Sequence, residues 1–375
     1  MNSQNNSSKT KETEEQVNVR TMKQLVWIKF KRNKLAIASM VFIFFLYFST
    51  VFAGFISPYG LDIAHENYKF APPQLPHFFD SEGDFHIRPF VYKTEPGYDP
   101  VTWKQIYKED KSKIYPIQFF AKGEKYKFWG IWETNIHFFQ AKDEGHLFLL
   151  GTDEQGRDVF SRVLYGARVS LSVGLIGVLI SITLGSLLGS ISGYYGGFID
   201  LIIQRIIELL RSFPRLPLWM ALSAAIPLTW SPIKVYFGIV TLLALINWTG
   251  LAREVRGKVL SYTEQDYIMA SKASGASDLY IIIRHIIPNT LSHILVVATL
   301  SIPGMILGES ALSFLGLGIQ PPMTSWGVLL QKAQNVESIV SHPWLMTPGF
   351  FIIVTVLSFN FLGDGLRDAV DPFST

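Results

Sequence analysis

The chain has 375 residues, of which 49% are hydrophobic and only 17% are charged, and its formal net charge is +3. The charged fraction lies below the roughly 25% that is usual in soluble proteins, and so small a net charge does not indicate nucleic acid as a partner. The sequence contains no cysteine, which excludes disulfides, thiol catalysis and zinc–thiolate sites.

Residues 1–34 combine a polar tail with a basic segment. The first 20 residues are rich in Asn, Ser, Lys, Glu and Thr without hydrophobic periodicity, which predicts a disordered tail. In residues 22–34 (MKQLVWIKFKRNK), Lys and Arg are interspersed with Trp27, Ile28 and Phe30, a pattern suited to an interfacial helix on the membrane surface. A plain basic flank of the first membrane helix explains this segment equally well.

Long apolar runs dominate the rest of the chain. Residues 35–57 carry no charge and exceed the roughly 20 residues that a helix needs to cross a bilayer, so they predict a retained membrane helix rather than a cleaved signal peptide. Five further spans are predicted at residues 169–193, 205–227, 233–252, 290–312 and 344–363. The predicted fold class is therefore an all-α polytopic membrane protein with six transmembrane helices.

Basic residues predict the orientation of these spans. Cytoplasmic loops of membrane proteins carry an excess of Lys and Arg, and an even number of spans places both termini on one side. The N-terminal tail and the loop after the fourth span are basic, which predicts cytoplasmic termini; Arg157, Arg162 and Arg168, at the end of a long outer loop, run against the rule. The residues that carry this prediction are Lys9, Lys11, Arg20, Lys23, Lys29, Lys31, Arg32, Lys34, Arg253, Arg256, Lys258, Lys272 and Arg284.

That long loop, residues 58–168, predicts a folded extracytoplasmic insert between the first two membrane helices. It is rich in Tyr, Phe, Trp, charged residues and proline. Alternation of residue types within residues 125–132 (KYKFWGIW) favours a strand. The remaining periodicities are too short and mixed to assign helices or strands.

A polar helix–turn–helix is predicted within the loop 253–289, between two apolar spans. Thr263 and Asp266 are spaced like a capping box, Gly275 is placed to end the first helix in a left-handed turn, and Pro288 is placed to end the second. A membrane protein seldom needs such an element unless a soluble partner docks on it.

Polar residues recur every three or four positions along the third predicted span, which places them on one helix face. Polar side chains at membrane depth usually face a cavity or a partner helix, so the stripe is a candidate for the translocation pathway or a subunit interface; cytosolic headgroups are the alternative surroundings. Glu309, in the fifth span, is also a candidate, although a helix-packing hydrogen bond is the favoured interpretation there. The stripe consists of Asp200, Gln204, Glu208, Arg211 and Arg215.

Small residues recur at similar spacing along the second span. They allow neighbouring helices to approach closely, and sliding between helices and ordinary tight packing explain them equally well. These residues are Gly174, Gly177, Ser181, Gly185, Gly189 and Gly193.

The sequence lacks the nucleotide-binding and catalytic motifs that are typical of enzymes. There is no G-x-x-x-x-G-K-[ST] nucleotide-binding motif, no G-x-S-x-G elbow and no H-E-x-x-H motif. The eight histidines include no pair four residues apart, so they provide no metal-ligand set. The sequence therefore predicts no catalytic, cofactor-binding or metal-binding residue, and any ATP must be hydrolysed by a partner.

The polar loop resembles the EAA loop of bacterial ABC importer permeases, whose pattern is Glu-Ala-Ala, three residues, Gly, nine residues and Ile-x-Leu-Pro. Ala270, Gly275 and Pro288 match this pattern, while the departures are Met269, Ser271, His285 and Ile287. Other segments closely resemble the C-type permeases of oligopeptide, dipeptide and nickel importers. These are GTDEQGRD (151–158), LYGARVSLSVG (164–174), ALSFLGLGIQPP (311–322), SWGVLL (325–330) and FNFLGDGLRDAVDP (359–372).

This resemblance implies a type I ABC importer permease core in the bacterial plasma (inner) membrane. It implies a heterodimer with a second homologous permease, two ATP-binding subunits that grip the loop, and an extracytoplasmic substrate-binding protein; lipid is the surrounding partner and no cofactor is implied. The implied layout is a cytosolic tail and interfacial helix (1–34), a first helix (35–57), the insert (58–168), a core (169–363) and a cytosolic tail (364–375). The implied ATPase-coupling residues are Ala270, Ser271, Gly275, Asp278, Tyr280, Arg284 and Pro288.

Peptides are the substrate that the resemblance favours, with oligosaccharides or nickel as alternatives. The rival from another class is an ion-coupled secondary transporter that uses Glu208 or Glu309 as a proton relay. A membrane-anchored enzyme or receptor built on the insert is a third interpretation, and it leaves the polar loop unexplained. Within the importer interpretation, one hypothesis is that the insert docks the binding protein.

Overall fold

The structure, a computed structural model, describes residues 22–101, 103, 105–128, 131–142, 145–227 and 229–371. The predicted disordered tail lies outside these residues. The helices bounded by the structure are α1 Met22–Arg32, α2 Lys34–Val51, α3 Ala53–Ile56, α4 Val159–Tyr195, α5 Gly197–Ser212, α6 Arg215–Ala224, α7 Pro232–Thr263, α8 Asp266–Ala273, α9 Asp278–Ile281, α10 Ile287–Phe314, α11 Trp326–Lys332, α12 Val336–Ser341 and α13 Thr347–Val370.

Among the described residues, five helical segments are long and apolar enough to cross a membrane, one fewer than predicted. The predicted third span, 205–227, is wrong as a single helix. It is split between α5 and α6 because Pro214 forces Phe213 into an extended conformation (φ −90°, ψ 141°). The five segments are Lys34–Val51, Val159–Tyr195, Pro232–Thr263, Asp278–Phe314 and Pro343–Val370.

Helix α4 packs closely against α7 through its small residues. A Cβ atom added at Gly189 would lie 2.5 Å from the carbonyl oxygen of Ala252, and one at Gly193 would lie 2.9 Å from that of Arg256. The hydroxyl of Ser181 donates to the carbonyl oxygen of Ala244 (3.1 Å). The predicted close approach of helices is therefore confirmed, and sliding between them stays a prediction.

The insert contains a four-stranded antiparallel sheet, so the all-α prediction is wrong for this part of the chain. Its strands, in the order β1-β2-β3-β4, are β1 His77–Phe79, β2 Phe85–Tyr98, β3 Gln105–Phe128 and β4 Trp132–Ala141. Tyr, Phe and Ile suit a pleated, half-buried surface. The strand predicted over residues 125–132 is confirmed only for residues 125–128, where β3 ends; Phe128 pairs with Trp132, the first residue of β4.

The arginines that run against the charge rule have local partners at the start of α4. Asp153 accepts hydrogen bonds from the side chain of Arg157 (2.7 Å to Nη2) and forms an ion pair with the buried Arg162. Arg168 donates from Nε to the carbonyl oxygen of Thr50 (2.7 Å) at the end of α2. Burial alone would raise the pKa of Asp153, but the two guanidinium groups outweigh it and hold that pKa below its usual value.

Asp158 caps α4 and carries a testable pH dependence. Its Oδ2 accepts hydrogen bonds from the Ser161 backbone N–H (2.8 Å) and hydroxyl (2.6 Å), while its buried Oδ1 has no protein partner. Burial raises the pKa of Asp158 to about 7. The pKa of Asp158 is therefore higher in the folded state than in the unfolded state, where it is about 4. Between these two values the folded state binds more protons than the unfolded state, so stability is lost as pH rises from about 4 to about 7.

We therefore expect Asp158→Asn, which keeps the cap without the charge, to gain thermal stability relative to the native chain as the pH is raised from 5 to 8. Asp158→Ala should instead cost about 1 kcal/mol of stability, because the cap itself is lost. Melting temperatures of the three purified proteins in one detergent check this. A native-to-Asn difference that stays constant with pH would contradict it.

The start and end of the described chain lie at the same end of the helices as the loop 253–289. The Lys29 ammonium donates to the carbonyl oxygen of Asp371 (3.2 Å). An open cleft of about 910 Å³ is lined by Lys258 of α7, His293 of α10 and Arg367 of α13. Basic residues of the N-terminal segment and of the polar loop thus share one end of the molecule.

Candidate functional site

The polar loop begins where α7 ends, and its first helix is not capped as predicted. Thr263 is the last residue of α7, and its hydroxyl donates to the carbonyl oxygen of Leu260 (2.9 Å). Gln265 occupies the N-cap of α8 without a side-chain hydrogen bond. The predicted capping box is therefore wrong, because the preceding helix extends through its first residue.

The turn after α8 is the one predicted at Gly275. This residue has φ +82°, its N–H donates to the carbonyl oxygen of Lys272 (3.0 Å), and the N–H of Ala276 donates to that of Ser271 (3.2 Å). The two bonds form a Schellman motif, which satisfies carbonyls that the helix end leaves unpaired. A Cβ atom at Gly275 would meet no atom within 4 Å, so conformation rather than space requires glycine.

The second helix of the loop continues into the membrane. Ser277 caps α9 by accepting from the N–H of Tyr280 (3.4 Å), and a π-helical turn, Ile282–Ile286, then leads directly into α10. Pro288 lies in the first turn of α10, so the prediction that it ends a helix is wrong. The π turn explains why the helix continues, because the N–H of Ile287 donates to the carbonyl oxygen of Ile282, five residues back. Pro288 then lies in the first turn of α10, where a residue needs no N–H.

The loop buries one apolar face and exposes another. Ile268, Ile281, Ile282 and Ile286 are buried in one cluster with residues of α7 and α10. On the outside, Leu279 is 64% exposed. Met269, Tyr280 and Ile283 are also exposed. A protein surface with several large apolar side chains so close together is typical of a docking site.

The end of α4 braces this loop, through a residue that the sequence analysis missed. The Tyr194 hydroxyl donates to Oδ1 of Asp278 (2.7 Å), and the Lys272 ammonium lies 5.9 Å from the centre of the Tyr194 ring. Tyr194 is distant from the loop in sequence, and no local pattern connects the two. The available sequence signal was the pair Tyr194–Tyr195, which stands just before two glycines at the end of a predicted span.

Asn289 holds the second half of the loop against the first. Its Nδ2 donates to the carbonyl oxygen of His285 (2.7 Å) and to the Tyr267 hydroxyl (3.2 Å), while the Tyr262 hydroxyl donates to the carbonyl oxygen of Asn289 (3.3 Å). These residues line an open cleft of about 550 Å³. The ring of Tyr280 packs edge-on against His285 at 5.7 Å between centroids.

The structure brings the seven predicted coupling residues together within one surface element. Five of them are exposed, and Ser271 and Asp278 are half-buried. Among the exposed residues, Arg284 lies on the π turn. The exposed members are Ala270, Gly275, Tyr280, Arg284 and Pro288.

The predicted polar stripe divides into two parts. Asp200 binds Arg256 of α7 through two hydrogen bonds of 2.6 Å and also accepts from Ser192 of α4, to which Gln204 donates (3.1 Å). Arg256 entered the sequence analysis as a charge marker and not as part of this network. The other stripe residues, Glu208, Arg211 and Arg215, are exposed on α5 and α6, and the structure does not bring them to the network.

Glu309 is fully buried between α4, α10 and α11. Its carboxylate accepts hydrogen bonds from Ser313 (2.7 Å) and Ser170 (3.0 Å). The same two hydroxyls accept from the backbone N–H groups of Ile319 (3.0 Å) and Trp326 (3.1 Å). This arrangement supports the helix-packing interpretation over a place on a pathway.

We expect Glu309→Gln to retain transport, because its amide oxygen can accept from one of these serines while its NH₂ group donates to the hydroxyl oxygen of the other. Glu309→Leu should lose stability, by roughly 1–3 kcal/mol for each buried hydroxyl left without a partner. Uptake and thermal stability of both variants check this. Loss of uptake by the Gln variant in an intact assembly would instead show that a titrating carboxylate is needed.

Within the described ranges, no group of three or more His, Asp or Glu residues could hold a metal ion. The candidate site is the polar loop itself. Its two notable properties are an exposed apolar rim, formed by Met269, Leu279, Tyr280 and Ile283, and contacts with α4, α7 and α10.

Two family models match the chain. The model described as binding-protein-dependent transport system inner membrane component matches residues 185–374, and the model of the N-terminal transmembrane domain of oligopeptide transport permease C matches residues 21–73. The chain belongs to the binding-protein-dependent transport system inner membrane component family. The first match contains the whole polar loop, and the second contains α1 and α2.

Curated members of this permease family are similar over most of their length. The oligopeptide transport system permease protein OppC of Salmonella typhimurium is 47% identical over 234 residues, which cover 61% of this chain and 72% of that protein. The dipeptide transport system permease protein DppC of Bacillus subtilis is 42% identical over 229 residues, covering 59% and 68%. The glutathione transport system permease protein GsiD of Shigella flexneri is 44% identical, covering 59% and 71%.

A solved structure of the methionine ABC transporter MetNI, in inward-facing conformations, is similar with a TM-score of 0.41 and 16% identity, covering 56% of this chain and 97% of that one. The family assignment rests on the sequence matches. As a member of this permease family, the chain is a multi-pass inner-membrane component of an ABC importer and not an enzyme. ATP hydrolysis takes place in partner subunits, which decides against the ion-coupled secondary transporter.

Proposed function

We propose that this chain is the C-type permease of a peptide importer with a type I permease core. It forms the translocation pathway with a second, homologous permease. An extracytoplasmic binding protein delivers the peptide, and two ATP-binding subunits dock on the polar loop. The observation that carries the proposal is the exposed apolar rim of that loop, centred on Met269, Leu279 and Tyr280. The other side of the loop packs against three long helices, α4, α7 and α10.

The proposed topology places both termini and the polar loop in the cytoplasm and the insert outside. The contact between Lys29 and Asp371 and the cleft shared by α7, α10 and α13 support a common side for these segments. The positive-inside rule then assigns that side to the cytoplasm. At the opposite end, Arg157 and Arg162 pair with Asp153, and Arg168 donates to a carbonyl oxygen at a helix end. These arginines therefore count less than unpaired basic residues as evidence for the orientation.

The proposed mechanism is mechanical coupling. ATP binding closes the ATPase pair, and α8 and α9 move with it. Because α9 continues through the π turn into α10 without a break, a displacement of the loop is passed directly to a membrane helix. Alternating access follows when α10 rocks against α4 and α7, and hydrolysis resets the inward-facing state.

Peptides are proposed as substrates because the similar permeases are named for oligopeptide, dipeptide and glutathione transport. The test is uptake and ATP hydrolysis by the complete importer in vesicles, with its binding protein and each of three substrate classes: peptides, nickel and oligosaccharides. We expect only peptides to stimulate hydrolysis. Stimulation by nickel or an oligosaccharide alone would overturn the peptide assignment, and uptake without the ATPase subunits would overturn the coupling mechanism.

A further inference from the structure

The β3–β4 hairpin of the insert presents large apolar side chains to its surroundings. Their exposed fractions range from 37% for Phe138 to 70% for Ile131. Soluble surfaces rarely carry so many exposed large apolar groups on one small element, and such patches mark a contact with a protein or a membrane. The exposed set consists of Phe119, Phe120, Ile131, Trp132, Ile136 and Phe138.

The hairpin lies beside the end of the first membrane helix. The ring of Phe128 is 5.7 Å from that of Phe52, the residue that follows α2. The ring of Phe55 is 5.9 Å from Phe120 and 5.7 Å from Phe138. The apolar face of the hairpin is therefore continuous with the outer end of a membrane-spanning helix.

The length of α2 fixes the depth of this contact. With 18 residues from Lys34 to Val51, it extends about 27 Å at 1.5 Å per residue, close to the roughly 30 Å of a bilayer's hydrocarbon core. Since the basic Lys34 marks one boundary, Phe52 lies at the other. Phe128 and Trp132, the paired ends of β3 and β4, are thus at the level where hydrocarbon gives way to headgroups.

A second helix gives the same depth. Tyr126 of β3 packs on Gly54, where an added Cβ atom would lie 2.6 Å from its ring. At this level Arg168 of α4 donates to the carbonyl oxygen of Thr50. A guanidinium group at the carbonyl end of a membrane helix belongs in the headgroup layer.

The charges of the hairpin suit phosphate headgroups. Lys122, Lys125 and Lys127 are exposed on β3 between the apolar residues, against the acidic Glu124 and Glu133. Lysine stems lie along apolar surface while their ammonium groups reach toward phosphate. Tryptophan and tyrosine concentrate at the same layer, and the exposed set includes Trp132.

We propose that the β3–β4 hairpin is an interfacial anchor, which inserts its aromatic face among the lipid headgroups of the leaflet on the side of the insert. The anchor holds the sheet at a fixed height and tilt beside α2 and α4. The proposal rests on membership of a membrane permease family and not on the peptide substrate. It leaves the opposite end of the sheet, near Val101, as the part that remains in water.

The chain has no cysteine, so a single introduced cysteine gives a unique labelling site. Trp132→Cys and Phe120→Cys report on the hairpin, and Val101→Cys, at an 85% exposed position beyond the far end of β2, is the matched control. Each variant is labelled with an environment-sensitive fluorophore in the complete importer, in vesicles of phosphatidylethanolamine and phosphatidylglycerol. The readouts are quenching by shallow nitroxide-labelled lipids and quenching by aqueous iodide.

We expect nitroxide lipids to quench the labels at positions 132 and 120 several-fold more strongly than the label at position 101, with the reverse order for iodide. Equal iodide quenching at all three positions would place the hairpin in water and overturn the proposal. Shielding at positions 132 and 120 that requires the binding protein would identify a protein-docking face and overturn it as well. Uptake activity of the two hairpin variants verifies that each is folded.

Discussion

Gly275→Val is expected to abolish both uptake and substrate-stimulated ATP hydrolysis in the assembled importer. Gly275 has φ +82°, a conformation in which a β-branched residue is a genuine outlier. The left-handed conformation costs a non-glycine residue roughly 1–2 kcal/mol. The chain can avoid this cost only by breaking the two hydrogen bonds of the Schellman motif, which set the angle between α8 and α9.

Gly257→Val is the matched control. Gly257 lies within α7, in the same predicted loop 253–289 but before α8, and an added Cβ atom there also meets nothing within 4 Å. It differs in having ordinary helical geometry, so it controls for the added side chain without the strain of a left-handed backbone. Uptake and ATPase activity of both variants, with co-purification of the ATPase subunits, provide the measurement. Native activity in the Gly275 variant would mean that the loop geometry does not couple the subunits.

Features of the loop that depend on neighbouring residues were predictable from sequence. A glycine after a short polar helix predicts a left-handed C-cap, and the structure has one at Gly275. The prediction at Pro288 was wrong because the effect of this proline depends on tertiary packing. Ile282 and Ile286 are buried against α7 and α10, and this burial holds the π turn that lets one helix run through.

Features that depend on distant residues were not predictable. The two halves of β3 pair with different strands, first with β2 and then with β4, so no single alternation describes the whole strand. The split of the third predicted span depended on Pro214, whose effect an apolar window does not register. The contact of Tyr194 with Asp278 joins two elements that have no shared sequence signal.

Helical spacing predicted part of the polar stripe correctly and part of it wrongly. The spacing placed Asp200 and Gln204 on one helix face correctly, and these two join one network with Ser192. It also predicted a continuation to Arg215, but the backbone turns at Phe213 before that residue. Within α5 the stripe residues differ in exposure. Asp200 and Gln204, which belong to the network, are half-buried, whereas Glu208 and Arg211 are exposed.

Asp200→Ala is expected to impair transport and to lower thermal stability, by about 1.5–3 kcal/mol for the charge-assisted hydrogen bonds lost. The side chains of Asp200 and Arg256 are 19% and 32% exposed, so the substitution leaves a half-buried guanidinium without its carboxylate. It also removes the link between α5 and the part of α7 that leads into the polar loop. Loss of coupling should therefore accompany the loss of stability.

Glu208→Ala, on the same helix, is the matched control for this change. Glu208 pairs with Arg205 at 2.8 Å, but these side chains are 48% and 73% exposed, and exposed pairs of this spacing contribute only about 0.3–0.5 kcal/mol. A charge-exchanged variant, Asp200→Arg with Arg256→Asp, should recover part of what Asp200→Ala loses, since the attraction is restored in reverse. If Asp200→Ala impaired transport no more than Glu208→Ala, the ion pair of Asp200 with Arg256 would not couple α5 to the loop. Helix α5 would then act through its apolar surface alone.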